Sequence, residues 1–145
     1  MDELEKLRKH WEDDNFQRKH ALAREIVVNR LRELNREYEE KTGQGFVRFI
    51  ETRMKTPESI AEKLQRKDYD GDFDTAVTAL NDISGVRCIC YSVKEIYWIA
   101  RQIGKTDTYT VVKAKDYIRN PKKNGYESYH IVLDIPMSYK GKTTV

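Results

Sequence analysis

Apolar residues recur at helical spacing over residues 1–41 of this 145-residue chain. The members of the stripe lie mostly three or four positions apart: Leu4, Leu7, Trp11, Leu22, Ile26, Val27, Leu31, Leu34 and Tyr38. A period near 3.6 residues predicts helix with one buried face. Asp13-Asp14-Asn15 interrupts the stripe and can cap a second helix that begins near Phe16, while Gly43 can end it. The region is therefore predicted to be helical, as one helix or as two.

After residue 43 the pattern alternates between strand and helix. The predicted elements are a strand at 46–53, a helix from Thr56-Pro57 to about Arg66, a short helix from Asp74 to Leu80, a strand at 86–91, a helix from the Ser92–Glu95 capping box to Gly104, and strands at 108–113, 131–135 and 143–145. Strand, helix and strand in succession imply a right-handed crossover onto a parallel neighbour. The pattern predicts an α/β fold, a small mixed β-sheet with flanking helices and an N-terminal helical layer. It divides the chain into a helical segment, 1–42, and an α/β segment, 43–145.

The composition is typical of a soluble globular protein, with 35% charged and 39% hydrophobic residues. No apolar run approaches membrane-spanning length, and the N-terminus does not resemble a signal peptide. A cytoplasmic location without a membrane partner is the default expectation. Cys88 and Cys90 are two positions apart on a predicted strand, so they face the same side and are poorly placed to form a disulfide with each other.

Positive charge is concentrated in two segments of the chain. The net charge of +3, from 27 basic and 24 acidic residues, is too small to indicate a nucleic-acid-binding protein. Residues 1–42 are balanced, with 10 basic and 11 acidic groups, and their outer face, including His10 and His20, is predicted to be solvated. Residues 48–67 and 105–130 each hold six basic and three acidic groups. This distribution favours a polyphosphate ligand, with a solvated patch as the alternative.

Residues 115–130, here called the 115–130 loop, connect two predicted strands with a basic and aromatic segment. It holds four lysines or arginines, three tyrosines and a histidine. Its cations can contact phosphate oxygens, Tyr126 offers a flat face for a purine, and Asn124-Gly125 permits the positive φ of a tight turn. The loop is predicted to bind a nucleotide, although a solvated basic loop is the commoner explanation of a charge cluster alone.

Three groups of residues resemble, in order and spacing, the motifs of RelA/SpoT-type alarmone synthetases. They are Arg53-Met54-Lys55 with Glu58-Ser59-Ile60 and Lys63-Leu64, which resemble the ATP-binding strand and helix; Asn81-Asp82-Ile83-Ser84-Gly85-Val86-Arg87, which resembles the metal-binding turn; and Lys115-Asp116-Tyr117-Ile118, Pro121-Lys122 and Asn124-Gly125-Tyr126-x-Ser128-x-His130, which resemble the guanine-nucleotide loop. The matches span roughly residues 46–136. The resemblance implies that residues 43–145 are a nucleotide-binding synthetase domain with a nucleotidyltransferase-like fold.

The resemblance also implies a role for each matched residue. It implies an ATP site formed by Arg53, Lys55, Ser59, Lys63 and Arg87, in which the two arginines pack against adenine and the lysines contact phosphates. It assigns Asp82 to a Mg²⁺ ion and makes Asp82, Arg53 and Lys55 the catalytic set. From position alone, Asp82 is equally well explained as a turn aspartate, and each cation as an exposed ion-pair partner worth about 0–1 kcal/mol.

For the second nucleotide, GDP or GTP, the resemblance implies contacts from the 115–130 loop. The implied binding residues are Lys115, Lys122, Asn124, Tyr126 and His130. Tyr126 would stack on guanine, whereas the lysines and His130 would contact phosphates or organise the loop. Tyr117 and Tyr129 are interpreted as packing residues.

The implied activity is GTP pyrophosphokinase activity of the stringent response. The β,γ-pyrophosphate of ATP would move to the 3′-hydroxyl of GDP or GTP to make (p)ppGpp. No residue matches the glutamate of the family's Glu-x-Gln-x-Arg strand, so the C-terminal part of the domain is expected to be missing, and the full-length form is expected to be a homo-oligomer. The chain has no adjacent His-Asp pair of the kind that marks the family's hydrolases. The alternatives are a non-catalytic module that binds guanine nucleotides, and a pyrophosphokinase acting on tRNA or adenine nucleotides.

Overall fold

The structure, a computed structural model, describes residues 2–80, 82–137 and 141–145. Within these residues the elements, in chain order, are α1 (Glu3–Glu12), α2 (Asp14–Thr42), β1 (Val47–Met54), α3 (Pro57–Arg66), α4 (Phe73–Ala79), β2 (Ser84–Cys90), α5 (Val93–Gln102), β3 (Thr110–Asp116), β4 (Tyr129–Met137) and β5 (Gly141–Thr144). The α/β class predicted from the sequence is confirmed. Among the described helices, none is long and apolar enough to cross a membrane.

The N-terminal layer consists of two helices, and the break falls at the interruption in the apolar stripe. The Asp13 carboxylate accepts a hydrogen bond from the Phe16 N–H at 3.0 Å and caps α2. Gly43 ends α2 in the left-handed region, with φ at +87°. The buried face of α2 packs on the sheets through Ala23, Val27, Leu31, Leu34 and Tyr38. The stripe therefore becomes one wall of the main core, to which Phe46, directly before β1, and Ile135, on β4, also belong.

The strands form two antiparallel sheets. In the first, β1 pairs with β2, from Val47 opposite Cys90 to Met54 opposite Ser84. In the second, β3 pairs with β4 and β4 pairs with β5. The predicted crossover from β2 onto a parallel β3 is therefore wrong for the described residues, in which every ladder is antiparallel. β3 pairs instead with the next strand, because the 115–130 loop brings β4 straight back along it, a pairing that needs no crossover helix.

A second core lies under the turns that lead into α3 and β2. It is built by α1, α3, α4 and the segment after α4, and its members are Leu7, Trp11, Ile60, Leu64, Ala76, Leu80 and Ile83. The Trp11 indole N–H donates to the Lys55 backbone carbonyl at 2.7 Å. The short helix α1 thus supports the point at which β1 turns into α3.

The local capping predictions have mixed outcomes. Thr56 caps α3, and the Ser92 N–H donates to the Glu95 carboxylate at 2.8 Å, both as predicted. The predicted start of α4 at Asp74 is wrong, because Asp72 caps the helix and accepts from the Thr75 N–H at 2.7 Å. Both cysteines are free, as expected.

Candidate nucleotide-binding site

A cleft of about 620 Å³ is lined by residues of both sheets. β1 and β2 supply one set of lining residues, and β3, β4 and the 115–130 loop supply another. Its apolar lining comes from the main core and includes Leu31, Ile99 and Leu133. Three of the four cations predicted for ATP and the tyrosine predicted for guanine therefore share one cavity.

Asp82 lines this cleft and lies between two lysines. Lys55 Nζ and Lys63 Nζ each lie 2.7 Å from Asp82 Oδ2. They meet because Pro57 starts α3 directly after β1, so Lys63 on the helix returns toward Lys55. The Lys55 N–H also donates to the Ile83 carbonyl at 2.8 Å, which ties the end of β1 to the Asp82 turn. The structure thus brings together the two lysines that the resemblance assigns to the phosphates of ATP.

The electrostatics of Asp82 follow from these contacts. Burial by itself raises the pKa of the Asp82 carboxyl, but the hydrogen bonds and charges of Lys55 and Lys63 outweigh burial and hold the pKa below its usual value. Asp82 is therefore an anion at neutral pH. Its second oxygen, Oδ1, is buried and has no hydrogen-bond partner among the residues that the structure describes.

That unpartnered oxygen is the feature that fits a metal ion. Mg²⁺ is usually bound by one or two carboxylates together with water and substrate phosphates. In the described part of the chain, no group of three or more His, Cys, Asp or Glu side chains is placed to hold a metal. The residues thus fit an ion that would take one ligand from Asp82 and its other ligands from outside the described residues.

Arg53 and Arg87 line the cleft from the same face of the first sheet. Arg53 is opposite Gly85 in the ladder, and Glu51 is opposite Arg87. Because side chains alternate along strands, the three charged side chains share a face. Arg87 Nη1 lies 3.7 Å from Glu51 Oε1, with both side chains about half exposed. Both guanidinium groups are therefore available to a flat ligand.

The 115–130 loop contributes Lys115, Lys122, Tyr126 and His130 to the cleft. The Tyr126 hydroxyl lies 3.0 Å from His130 Nε2. Lys122 Nζ lies 5.4 Å from the Tyr126 ring centroid, in cation–π contact. Burial, and then the charges of Lys122 and Arg87, lower the pKa of His130. Nε2 of a neutral His130 can accept a hydrogen bond from the Tyr126 hydroxyl. This hydrogen bond orients the Tyr126 ring.

Three predicted site residues are not part of the cleft lining: Lys55, which reaches the cleft through Asp82, and Ser59 and Asn124. The Ser59 hydroxyl is 3.0 Å from Thr56 Oγ1, and the Ser59 N–H donates to the same oxygen, so Ser59 belongs to the N-terminal cap of α3. Asn124 Oδ1 accepts from the Tyr126 N–H at 3.0 Å and closes the turn in which Gly125 has φ at +84°. The positive φ was predicted, and the Asn124 side chain supports the turn that requires it.

His20, Ser84 and Arg24 form a polar cluster that was not predicted. His20 was expected on the solvated face, but its ring is only 6% exposed, and Nδ1 lies 2.6 Å from Ser84 Oγ. Arg24 Nη1 donates to the same hydroxyl at 3.0 Å. Ser84 lines the cleft two positions after Asp82. The prediction for His20 was wrong because the residue falls on the apolar stripe, three and seven positions before Ala23 and Val27. His10, the other histidine of the N-terminal segment, is exposed, and its ring stacks on Phe73 with centroids 3.8 Å apart.

Fold and site together define the class of protein. It is an α/β protein whose cleft combines a lysine-clamped aspartate, two exposed arginines and a tyrosine-bearing basic loop. A family model described as "Region found in RelA / SpoT proteins" matches residues 52–145. The chain therefore belongs to the RelA/SpoT family, which confirms the resemblance seen in its motifs.

Similar proteins carry consistent names. GTP pyrophosphokinase YwaC of Bacillus subtilis (strain 168) is 30% identical over 138 residues, covering 95% of this chain and 65% of that protein. A GTP pyrophosphokinase family protein from Streptococcus pneumoniae has a TM-score of 0.78 at 26% identity, over 94% of this chain and 66% of that one. Small alarmone synthetase 1 from Bacillus subtilis, bound to its product pppGpp, has a TM-score of 0.75 at 28% identity, over 92% and 69%. The chain spans roughly two thirds of the length of these relatives.

Proposed function

We propose that the chain forms the nucleotide-binding part of a GTP pyrophosphokinase. The reaction would transfer the β,γ-pyrophosphate of ATP to the 3′-hydroxyl of GDP or GTP. The observation that carries the proposal is the placement of the Lys55–Asp82–Lys63 cluster and the Tyr126 loop on a single cleft. The names of the relatives, and the pppGpp bound to one of them, support it.

On the donor side, the cations of the cleft would bind ATP. Lys55 and Lys63 would contact the triphosphate, whose oxygens would compete with Asp82 Oδ2 for the two ammonium groups. The planar guanidinium groups of Arg53 and Arg87 would stack on adenine, which ammonium groups do poorly. In this arrangement the cations would surround the phosphates. The contacts of Lys55 and Lys63 with Asp82 would weaken when ATP binds.

Mg²⁺ would be held by Asp82 through Oδ1, the buried oxygen for which the described part of the chain offers no hydrogen-bond partner. When bound, the ion neutralises charge on the phosphate oxygens during transfer. The negative charge that Asp82 keeps at neutral pH suits this role. Asp82 would therefore bind the ion with one oxygen while Oδ2 remains within reach of the lysines.

On the acceptor side, the Tyr126 ring would stack on guanine, and Lys115 and Lys122 would contact the phosphates. Lys122 lies against the Tyr126 ring, so it would exchange this cation–π contact for a phosphate when the nucleotide binds. In the transfer, a bond forms between the 3′-oxygen and the β-phosphorus, and the bond from that phosphorus to the α–β bridging oxygen breaks. AMP leaves, and the hydroxyl proton passes to a base. Positioning of the two nucleotides in one cleft is the chain's main contribution.

The test is a transfer assay with γ-labelled ATP, GDP or GTP, and Mg²⁺, followed by anion-exchange separation of nucleotides. Label is expected in a more highly charged guanine nucleotide, with release of AMP. Asp82→Asn should abolish transfer while the circular dichroism spectrum is kept. Asp107→Asn, which changes an exposed aspartate away from the cleft lining, is the matched control and should stay active.

Calorimetry with GDP separates the remaining outcomes. Saturable GDP binding without AMP release would favour the non-catalytic binding module. Label on tRNA or on an adenine nucleotide would keep the chemistry and replace the acceptor. A chain that binds neither GDP nor an ATP analogue, or an active Asp82→Asn variant, would contradict the proposed site.

A further inference from the structure

Asp116 at the end of β3 organises the start of the 115–130 loop. Its Oδ1 accepts hydrogen bonds from the backbone N–H groups of Ile118 and Arg119, each at 2.9 Å. Its Oδ2 accepts the hydroxyl of Tyr97, on α5, at 2.7 Å. Both oxygens are thus used, one to shape the loop and one to fasten it to a helix.

Tyr97 contacts both strands from which the loop emerges. Asp116 and Tyr129 are opposite each other at the end of the β3–β4 ladder. The Tyr97 ring meets the Tyr129 ring edge to face, with centroids 5.9 Å apart, while its hydroxyl holds Asp116. The Tyr97 side chain of α5 therefore contacts both residues of the last pair in the β3–β4 ladder.

Further contacts connect the Asp116–Tyr129 pair to residues that line the cleft. The Tyr117 N–H donates to the Ser128 carbonyl at 2.8 Å, which adds a further link between the two sides of the loop. His130, directly after Tyr129, meets the rings of Tyr117 and Tyr126 edge to face at 5.2 and 5.7 Å. The residue pair that Tyr97 contacts is therefore directly next to His130, which contacts Tyr126.

We propose that Tyr97 is a positioning residue for guanine-nucleotide binding, acting through Asp116 and the end of the β3–β4 ladder. The inference rests on the proposed function, since it assigns the guanine nucleotide to the 115–130 loop. Neither Tyr97 nor Asp116 belongs to the cleft lining, so neither would touch the nucleotide. Preorganisation of a loop strengthens binding because less ordering has to occur when the ligand arrives.

The chemistry of the pair supports a steady contact at neutral pH. The hydrogen bond to Asp116 raises the pKa of the Tyr97 phenol, so the hydroxyl stays protonated and donates. A phenol donating to a carboxylate is a charge-assisted hydrogen bond, which is shorter and stronger than a neutral one. Its loss would free one Asp116 oxygen and loosen the loop without removing a cleft residue.

The test is Tyr97→Phe, which keeps the ring against Tyr129 and removes only the hydroxyl. Calorimetry is expected to show a GDP dissociation constant roughly 3- to 10-fold higher, as expected for loss of one hydrogen bond. Affinity for a non-hydrolysable ATP analogue should change less than about twofold, because the donor residues lie on β1, α3 and β2. Tyr91→Phe, at a tyrosine that is 58% exposed, is the matched control and should bind both nucleotides as wild type does.

A double-mutant cycle with Asp116→Asn tests the route of the effect. If Tyr97 acts through Asp116, the loss of GDP-binding free energy in the double variant should be smaller than the sum of the losses in the two single variants. Equal losses for GDP and the ATP analogue would indicate a general structural role and overturn the inference, as would an unchanged GDP affinity in Tyr97→Phe. Failure of the wild-type chain to bind GDP would instead refute the proposed function, and the assignment of Tyr97 with it.

Discussion

Acidification below pH 6.5 is expected to destabilise the chain through His20. Burial first, and then the positive charges of Arg24 and Lys19, lower the pKa of His20 to about 4. Arg24 can only donate to the Ser84 hydroxyl, so the arrangement suits a Ser84 proton directed at an unprotonated Nδ1 of His20. Protonation of the ring would remove that acceptor in a buried site that already holds a positive charge.

The sign and size of the effect follow from linkage. Between about pH 4 and pH 6.5 the unfolded chain binds a proton at this residue and the folded chain does not, so the free energy of unfolding falls as the pH falls. The stabilisation is fully present above pH 6.5. The difference between about 6.5 and about 4, at ~1.36 kcal/mol per pKa unit, amounts to about 3 kcal/mol. That is a large part of the 5–15 kcal/mol typical of a domain.

Urea denaturation of the wild type and of His20→Asn, from pH 7.5 to 4.5, measures this contribution. Asparagine keeps an acceptor near the position of Nδ1 and does not titrate. The wild type should lose about 2–3 kcal/mol more than the variant by pH 4.5, whereas other titrating groups act equally in both. His10→Asn, which replaces an exposed histidine, should follow the wild-type profile. Parallel profiles for wild type and His20→Asn would refute the reasoning.

Three further outcomes are expected. Tyr126→Ala should weaken GDP binding by roughly 1–3 kcal/mol through lost stacking, and an unchanged affinity by calorimetry would exclude that role. Lys63→Met should raise the pKa of the Asp82 carboxyl and weaken binding of a non-hydrolysable ATP analogue, measured by NMR titration and calorimetry; an unaltered carboxyl titration would contradict the 2.7 Å contact. Leu34→Ala should cost about 2–5 kcal/mol in urea denaturation, because Leu34 is fully buried. Leu22→Ala, at a leucine that is 49% exposed, should cost far less.

Local features of the fold could be predicted because their causes are local. The helical stripe, the Thr56-Pro57 start of α3 and the positive φ of Gly125 each depend on neighbours within a few positions. The convergence of Lys55 and Lys63 follows from a single turn at Pro57. These predictions needed no knowledge of distant contacts, and the structure agrees with each.

Strand pairing could not be predicted with the same security, because it joins residues far apart in sequence. The run of β2, α5 and β3 suits a parallel crossover, yet β3 pairs with β4. A short loop that returns on its own strand satisfies the backbone hydrogen bonds with less chain to order than a crossover requires. Periodicity identifies each strand but not its partner.

The residues that hold the Asp82 turn in place include some that the family motifs do not contain. A buried polar side chain needs a hydrogen-bond partner, and His20 finds one 64 positions away, in Ser84. Trp11, His20 and Arg24 all bond to the segments that hold Lys55 and Asp82, yet they lie before residue 52, where the family match begins. The N-terminal helices are therefore more than a cover for the sheets. They hold the lysine-clamped turn in place, so changes in these helices should reach the donor side of the cleft without altering any residue of the family motifs.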